Sequence, residues 1–425
     1  MISIDSLLLA IGTVSCLNFI PQKLKFVTQP FMLFLAGCYI LTDIIPAIVT
    51  SQKAISERSV YRAKLVIIAA LILSVLIIPT LYSTYERHIL GVKSYAHDGG
   101  VIHTKEAMKM FIEGKNPYTS DYRGTELEEQ YLYENHPFGL RTIIYHYPYL
   151  PLSFLLPIPF YYISINTLGW FDMRFIYLVA FLLSLWLALS FSKRYTNRLL
   201  IIIAIGLNPV FSQYIIPGRN DILVFFFLLC IIYFLRRNKI QTASLFFGLA
   251  FTVKPTSWLL LPFFIHYIYL RNGGTSFSQK VLGTFKKILP FVILVLVIIG
   301  PYLLWDLHSL KEDVFDFNLG KIQGSSYPLG GSPGFGFAQL FVFAGYGEQD
   351  YIPFWIFQLI FCTPLFLIFI ALQRRQNTVK AMVIFYTVLL FFFLYFSRFF
   401  HNNYIGFTLT LLCIGALMDE ENTKV

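Results

Sequence analysis

The sequence predicts an all-α fold, a polytopic bundle of membrane-spanning helices, on three observations. The first is composition: 56% of the 425 residues are hydrophobic and only 13% charged, whereas soluble domains run about a quarter charged. The second is that apolar runs of about 18 residues or more recur, the length that crosses a bilayer. These runs are continuous rather than alternating, which argues against a β-barrel. The third is charge placement. The net charge of +10 comes from basic residues in short connections, such as Lys53, Arg58, Arg62 and Lys64, or Arg236, Arg237 and Lys239. This is the positive-inside bias of a membrane protein, not a nucleic-acid surface.

Taken in order, the spans fall at 6–21, 30–50, 64–82, 173–191, 199–216, 221–236, 240–253, 256–270, 288–305, 352–372, 380–396 and 403–418. That is a bundle of about 11–13 transmembrane helices. Residues 1–62 carry an additional N-terminal helix pair. Their opening, MISIDSLLLAIG, holds Asp5 and no basic region, so it reads as a retained helix rather than a leader. With the basic connections inside, 51–63 is cytoplasmic and span 64–82 exits. Residues 83–147 then form a long first external loop bearing juxtamembrane helices. Its nine Asp and Glu outnumber seven Lys and Arg.

Loop 193–198 must be inside, so span 173–191 enters from outside. The stretch 147–163, with Pro148, Pro151, Pro157 and Pro159, therefore cannot cross once, and it is predicted to be a re-entrant or interfacial segment on the outer face, since proline breaks helices; an ordinary kinked span with one basic loop outside is the alternative. The helical core spans 63–305. A second external loop covers 306–350, with a Gly-rich GGSPGFGF expected to be mobile, and 351–425 supplies the C-terminal helices. The five cysteines all fall in apolar segments without a CxxC pair, which predicts buried thiols and no metal framework. The polar loops carry no glycosylation sequon, which points to a prokaryotic cytoplasmic membrane.

Four polar clusters carry the candidate chemistry. Asp98 stands between His97 and the pair Gly99-Gly100, in a loop segment holding five of the eight histidines. The glycines would let backbone approach a ligand closely. Thr104 would cap a short surface helix with Met108, Phe111 and Ile112 on its apolar face, whose N-terminus suits a phosphate. A plain Asp-Gly turn is the simpler account. The second cluster is PGRND, Pro217 to Asp221. Asn220 and Gly218 suit a helix cap, but a cap does not need Arg219 or Asp221. Third, Lys254 interrupts a long uncharged stretch, a costly place unless it meets water, a partner or an anion; snorkelling is the alternative. Fourth, SRFFHNNY at 397–404 brings Arg398 and His401, or forms only a polar turn. All four are assigned to the outer face.

Asp98, the following GKNPY (Gly114 to Tyr118), YHYPYLPL, GRND and GLAFTVKP together resemble the GT-C glycosyltransferases over 64–418. They are most like the bacterial branch of α-mannosyltransferases that use polyprenyl-phosphate mannose. Where that branch has YPP and GQ-N/D, this chain reads Tyr147-Pro148-Tyr149 and Gly218-Arg219-Asn220-Asp221. The resemblance implies an inverting hexosyltransferase of the cell envelope, working on the non-cytoplasmic face with Asp98 as general base. It implies a polyprenyl-phosphate sugar donor within the membrane lipids and a glycolipid or glycan acceptor. Lys254, Arg219, Arg398 and His401 would hold the donor phosphate; Asp221, Asn220, Tyr147, His97 and Tyr118 would hold substrate. No cofactor is implied; with no D-x-D at Asp98, a divalent cation is not required. Two rival classes share the topology. A secondary transporter or lipid flippase would place its charges at the bilayer midplane with internal repeats. A polymerase or ligase of the O-antigen type would rely on Arg and His.

Overall fold

The computed structural model describes residues 2–48, 56–92, 96–134, 143–322, 329, 334–347 and 350–420. Among them every regular element is a helix or helical turn. Among the described residues four helices are long and apolar enough to cross a membrane: Gln22–Pro46, Glu57–His88, Phe277–Leu319 and Phe354–Arg375. The remaining predicted spans correspond to apolar helices of 10–17 residues, shorter than most single crossings.

Helices α1 (Ile4–Cys16) and α2 (Gln22–Ile48) form the N-terminal pair. Helix α2 packs on α3 (Glu57–His88), and α1 packs on α2 and on the later helix Tyr195–Gly206. Lys64, expected among the exposed basic loop residues, is instead buried. It pairs with Asp5 and Asp43, each at 2.6 Å, and the Tyr39 hydroxyl donates to Asp5 at 2.7 Å. A buried ammonium is tolerated only with such partners. Helix α3 runs past the predicted exit, so 83–88 is helix rather than loop. A π-turn at Leu73–Ile77 precedes Pro79 at the start of the next segment; the altered bonding there accommodates the missing proline N–H.

After α3, a π-turn at Asp98–His103 leads into α4 (Thr104–Ile112), followed by α5 (Glu126–Glu134). Helix α4 does not lie along a surface as expected. Phe111 packs against Phe154 and Tyr302, with centroids 5.8 and 6.2 Å away, and Met108 is fully buried. The proline-rich stretch forms two short helices, α6 (Leu152–Leu155) and α7 (Ile158–Leu168), interrupted at Pro157.

Helices α8 (Arg174–Ala188), α9 (Tyr195–Gly206), α10 (Asp221–Leu235) and α11 (Ile240–Val253) build the centre. Twelve of the fifteen residues of α10 are buried, which explains why it is apolar all round. Helix α9 stops ten residues before the predicted span end. Asn208 precedes Pro209, a position that disfavours helix, and the Asn208 side chain accepts from Val210 N at 3.0 Å. Helix α12 (Leu260–Leu270) follows, then α13 (Phe277–Lys311). A capping box of Ser276 and Gln279 starts α13 well before residue 288. After a kink at Asp306 it continues through Glu312–Asp316 and Phe317–Leu319, so the first part of the expected loop 306–350 is helical. Residues 330–333 of the Gly-rich stretch lie outside the described residues, as does His136. Helices α14 (Ala338–Phe343), α15 (Phe354–Arg375), α16 (Val379–Tyr395) and α17 (Asn402–Leu417) complete the chain. Of the cysteines, Cys16, Cys230 and Cys362 are buried; Cys38 is half-buried and Cys413 exposed, contrary to expectation.

Helix ends sort into two groups. At one end Lys193 N donates to Asp419 (2.6 Å), Arg236 to the Phe191 carbonyl (2.5 Å) and Lys380 to the Met418 carbonyl (3.2 Å). At the other, His97 N donates to the Pro217 carbonyl at 2.6 Å, and Lys254 meets Asp221.

Candidate functional site

The site is built where three broken segments meet: the turn into α4, the turn between α9 and α10, and the break between α11 and α12. Each exists because its sequence cannot continue a helix. Gly99 and Gly100 open the first, Pro217-Gly218 the second, and Pro255 the third.

The glycine pair lies close against other parts of the protein. A β-carbon on Gly100 would coincide with the carbonyl oxygen of Gly218, and one on Gly99 would strike the Tyr149 ring. Gly218 itself has φ +93° and lies against Val101, a conformation that favours glycine. The Tyr177 hydroxyl donates to the Gly100 carbonyl. Three glycines thus press the acid-bearing turn onto the GRND turn.

The capping differs from expectation. His97, not Thr104, caps the element: its Nδ1 accepts from Gly100 N at 2.9 Å, and Asp98 accepts from Gly99 N at 2.7 Å. Thr104 donates to the Gly99 carbonyl at 2.6 Å. The two N–H groups that might have held a phosphate are therefore taken. Because Nδ1 accepts, the neutral His97 ring carries its proton on Nε2. Burial pushes His97 down to about 4, partly opposed by Asp98, so the ring is neutral near pH 7.

A cavity of about 470 Å³ opens beside this turn. Asp98, His97, Arg219, Asn220, Asp221, Lys254, Arg398 and His401 all contribute to its lining. The side chain of Asp98 is 36% exposed, so the carboxylate is accessible there. Lys254 donates to Asp221 at 2.5 Å and to Asn220 Oδ1 at 3.4 Å, and lies 5.2 Å over the Tyr404 ring. Asn403 bridges the cluster: its amide donates to Asp221 at 2.7 Å, and its Oδ1 accepts from Arg219. The charge of Lys254 is thus offset by Asp221, whereas Arg219 meets a neutral amide. The Asn220 side chain makes no capping bond; its Nδ2 is buried without a partner while its residue lines the cavity. Burial lowers Arg398 from its ordinary value. Burial also takes His401 to about 4, with Arg219 and Lys254 adding to the effect. His401 can donate a hydrogen bond near pH 7 but supplies no positive charge.

Tyr147 and Tyr118 are placed elsewhere. Tyr147 is fully buried, its hydroxyl bonded to Ser153 (2.7 Å) and Thr104 (3.3 Å). Tyr118 donates to the Tyr149 carbonyl at 2.8 Å and packs 5.8 Å from Tyr147. Both hydroxyls are occupied in the wall behind the cavity. The tyrosine that reaches the lining is Tyr149. Its segment is held from outside by Asp313, which accepts from Tyr147 N at 2.8 Å and contacts His146 Nδ1 at 2.7 Å. Tyr149, Asn403 and Tyr404 were missed by charge-based reading. The only signal was their place inside YHYPYLPL and SRFFHNNY.

Much of the remaining lining is apolar. Trp258 and Leu259 follow the α11 break, Phe315 comes from the extension of α13, and Trp355 and Phe393 come from α15 and α16. Among the described residues no group of three or more His, Cys, Asp or Glu is arranged to hold a metal ion. Comparison with models of known protein families and with curated proteins found no match.

Proposed function

We propose that this chain is an integral-membrane glycosyltransferase of the GT-C kind. It moves a hexose, mannose by resemblance, from a polyprenyl-phosphate sugar to a lipid or glycan acceptor, with inversion, on the non-cytoplasmic face. One observation carries the reading: an accessible carboxylate, Asp98, and a cation-rich polar network share one cavity with aromatic and aliphatic side chains. Such a cavity matches a substrate with a sugar, a phosphate and a hydrocarbon tail.

In this reaction Asp98 takes the proton of an acceptor hydroxyl as its oxygen attacks the anomeric carbon. The bond from that carbon to the phosphate oxygen breaks, and polyprenyl phosphate leaves with the electron pair. The leaving phosphate is a weak base and needs charge stabilisation more than a proton. Arg219, free of an acidic partner in the Asn403 bridge, and Arg398 supply that charge; Lys254 supplies it only as it is shared with Asp221. His401 offers a neutral N–H. Asn220 and Tyr149, both in the lining, would hold sugar hydroxyls.

Location of the basic residues supports the sidedness. The helix ends with Lys193, Arg236 and Lys380 gather opposite the cavity, as the positive-inside bias asks of an outward-facing site. The test is transfer from labelled polyprenyl-phosphate sugars by purified protein in lipid. Transfer from one such donor is expected. Failure of every donor, together with measurable solute flux, would replace the reading with a transporter.

A further inference from the structure

The N-terminal helix pair touches the site from below. Phe19, in the Leu17–Phe19 turn that joins α1 to α2, meets the Tyr214 ring edge to face at 6.1 Å. Tyr214 in turn lies under the Arg219 guanidinium, 4.7 Å from ring centroid to Cζ. The Tyr214 carbonyl accepts from both Gly218 N (3.2 Å) and Arg219 N (2.9 Å), and its hydroxyl bonds Asn402, beside the Asn403 that receives Arg219. Further along the same face, Cys16 Sγ donates to the Leu207 carbonyl at 3.6 Å, and Gly12 lies directly against that carbonyl. The pair is also fixed at both ends. Asp5 and Asp43 hold Lys64 at one, and Lys23 meets Glu86 at 3.0 Å at the other.

We propose that the N-terminal helix pair is a positioning element for Arg219, acting through Phe19 and the Tyr214 ring. The guanidinium is held between an aromatic face and the Asn403 amide, so its direction is set by both. A cation over an aromatic ring is attracted to it, and Phe19 keeps that ring from turning away. The pair would then be part of the donor-phosphate machinery rather than an appendage ahead of it. The consequence for catalysis rests on the reading of Arg219 as a donor-phosphate ligand; the positioning itself does not.

The test uses the full-length protein in lipid and three variants. Tyr214→Leu removes the ring, Phe19→Ala removes its support, and Tyr214→Phe keeps the ring. The first readout is the rate at which phenylglyoxal modifies Arg219, followed by mass spectrometry, which needs no substrate. Tyr214→Leu and Phe19→Ala should accelerate modification roughly three- to tenfold, while Tyr214→Phe stays within about twofold of the parent. The second readout is transfer from polyprenyl-phosphate mannose. The same two variants should raise the donor KM by a similar factor, with kcat within about twofold. An Arg219 rate unchanged in both variants overturns the proposal, as does a fall in kcat at constant donor KM. If the modification rates change as expected but even the parent transfers no sugar, the positioning stands and the enzyme reading falls.

Discussion

The buried pair Lys254–Asp221 separates stability from function in one experiment. The two groups are 2.5 Å apart, with side chains only 12% and 8% exposed. Replacing Lys254 by Met leaves the Asp221 carboxylate buried with a single amide donor from Asn403. Stranding a buried charge costs about 3–5 kcal/mol; the surviving Asn403 bond and the adjoining cavity place this case near the lower limit, about 3 kcal/mol. Adding Asp221→Asn removes the stranded charge. The double variant should recover most of that loss, about 2 kcal/mol, so the two single effects should not add. Denaturant or thermal unfolding in one detergent, across the parent, both single variants and the double, measures the cycle. Transfer activity should follow a different pattern: Lys254→Met loses it, and the stable double variant does not regain it. A neutral Lys254→Met would refute the burial argument. A double variant that recovered transfer along with stability would show the pair to be scaffolding only.

Three further outcomes are expected. His97 and His401 are both held down to about 4, below the roughly 6.5 of an unfolded histidine. The unfolded chain therefore binds more protons between those values, so stability should fall as pH drops from about 6.5 to 4; His97→Asn should flatten the dependence of the melting midpoint over that window. Gly100→Ala places a methyl group on the Gly218 carbonyl, an overlap costing about 1–3 kcal/mol, and transfer should fall much further than stability because the Asp98 turn must lift off GRND. For sidedness, a cysteine at exposed Lys115 should react with an impermeant thiol reagent from outside intact cells. One at Lys239 should react only after permeabilisation, and the reverse pattern would place the cavity on the wrong face.

The helices were largely legible because apolar length is a local signal: α10, α11, α16 and α17 fall within a residue or two of the predicted spans. Proline was a poorer guide. It marks the break at Pro157, yet Pro290 and Pro301 lie inside α13 and Pro364 inside α15, since neighbouring packing and local adjustment re-satisfy the freed carbonyls. Lys64 was misread because its partners, Asp5 and Asp43, are distant in sequence, and burial of a lysine depends on partners rather than on its own neighbourhood. Within the site, charge was the visible signal, and it picked out Asp98, Arg219, Asp221, Lys254, Arg398 and His401, which do share the cavity. Amides and aromatic rings carry no such mark. Tyr147 was therefore chosen over Tyr149, and Asn403, which links Arg219 to Asp221, was passed over. The packing partners of Gly99 and Gly100 were hidden for a related reason. A glycine pair signals close approach, but sequence does not say to what.

The central claim is that Asp98 is the base of a sugar transfer, and Asp98→Asn tests it most directly. The side chain is partly exposed and asparagine keeps the Oδ1 that accepts from Gly99 N, so unfolding should shift by no more than about 0.5 kcal/mol. Single-turnover transfer from bound polyprenyl-phosphate mannose should slow by a factor of about 100 to 10,000, with donor affinity unchanged. Transfer at the parent rate by a correctly folded Asp98→Asn protein would contradict the account.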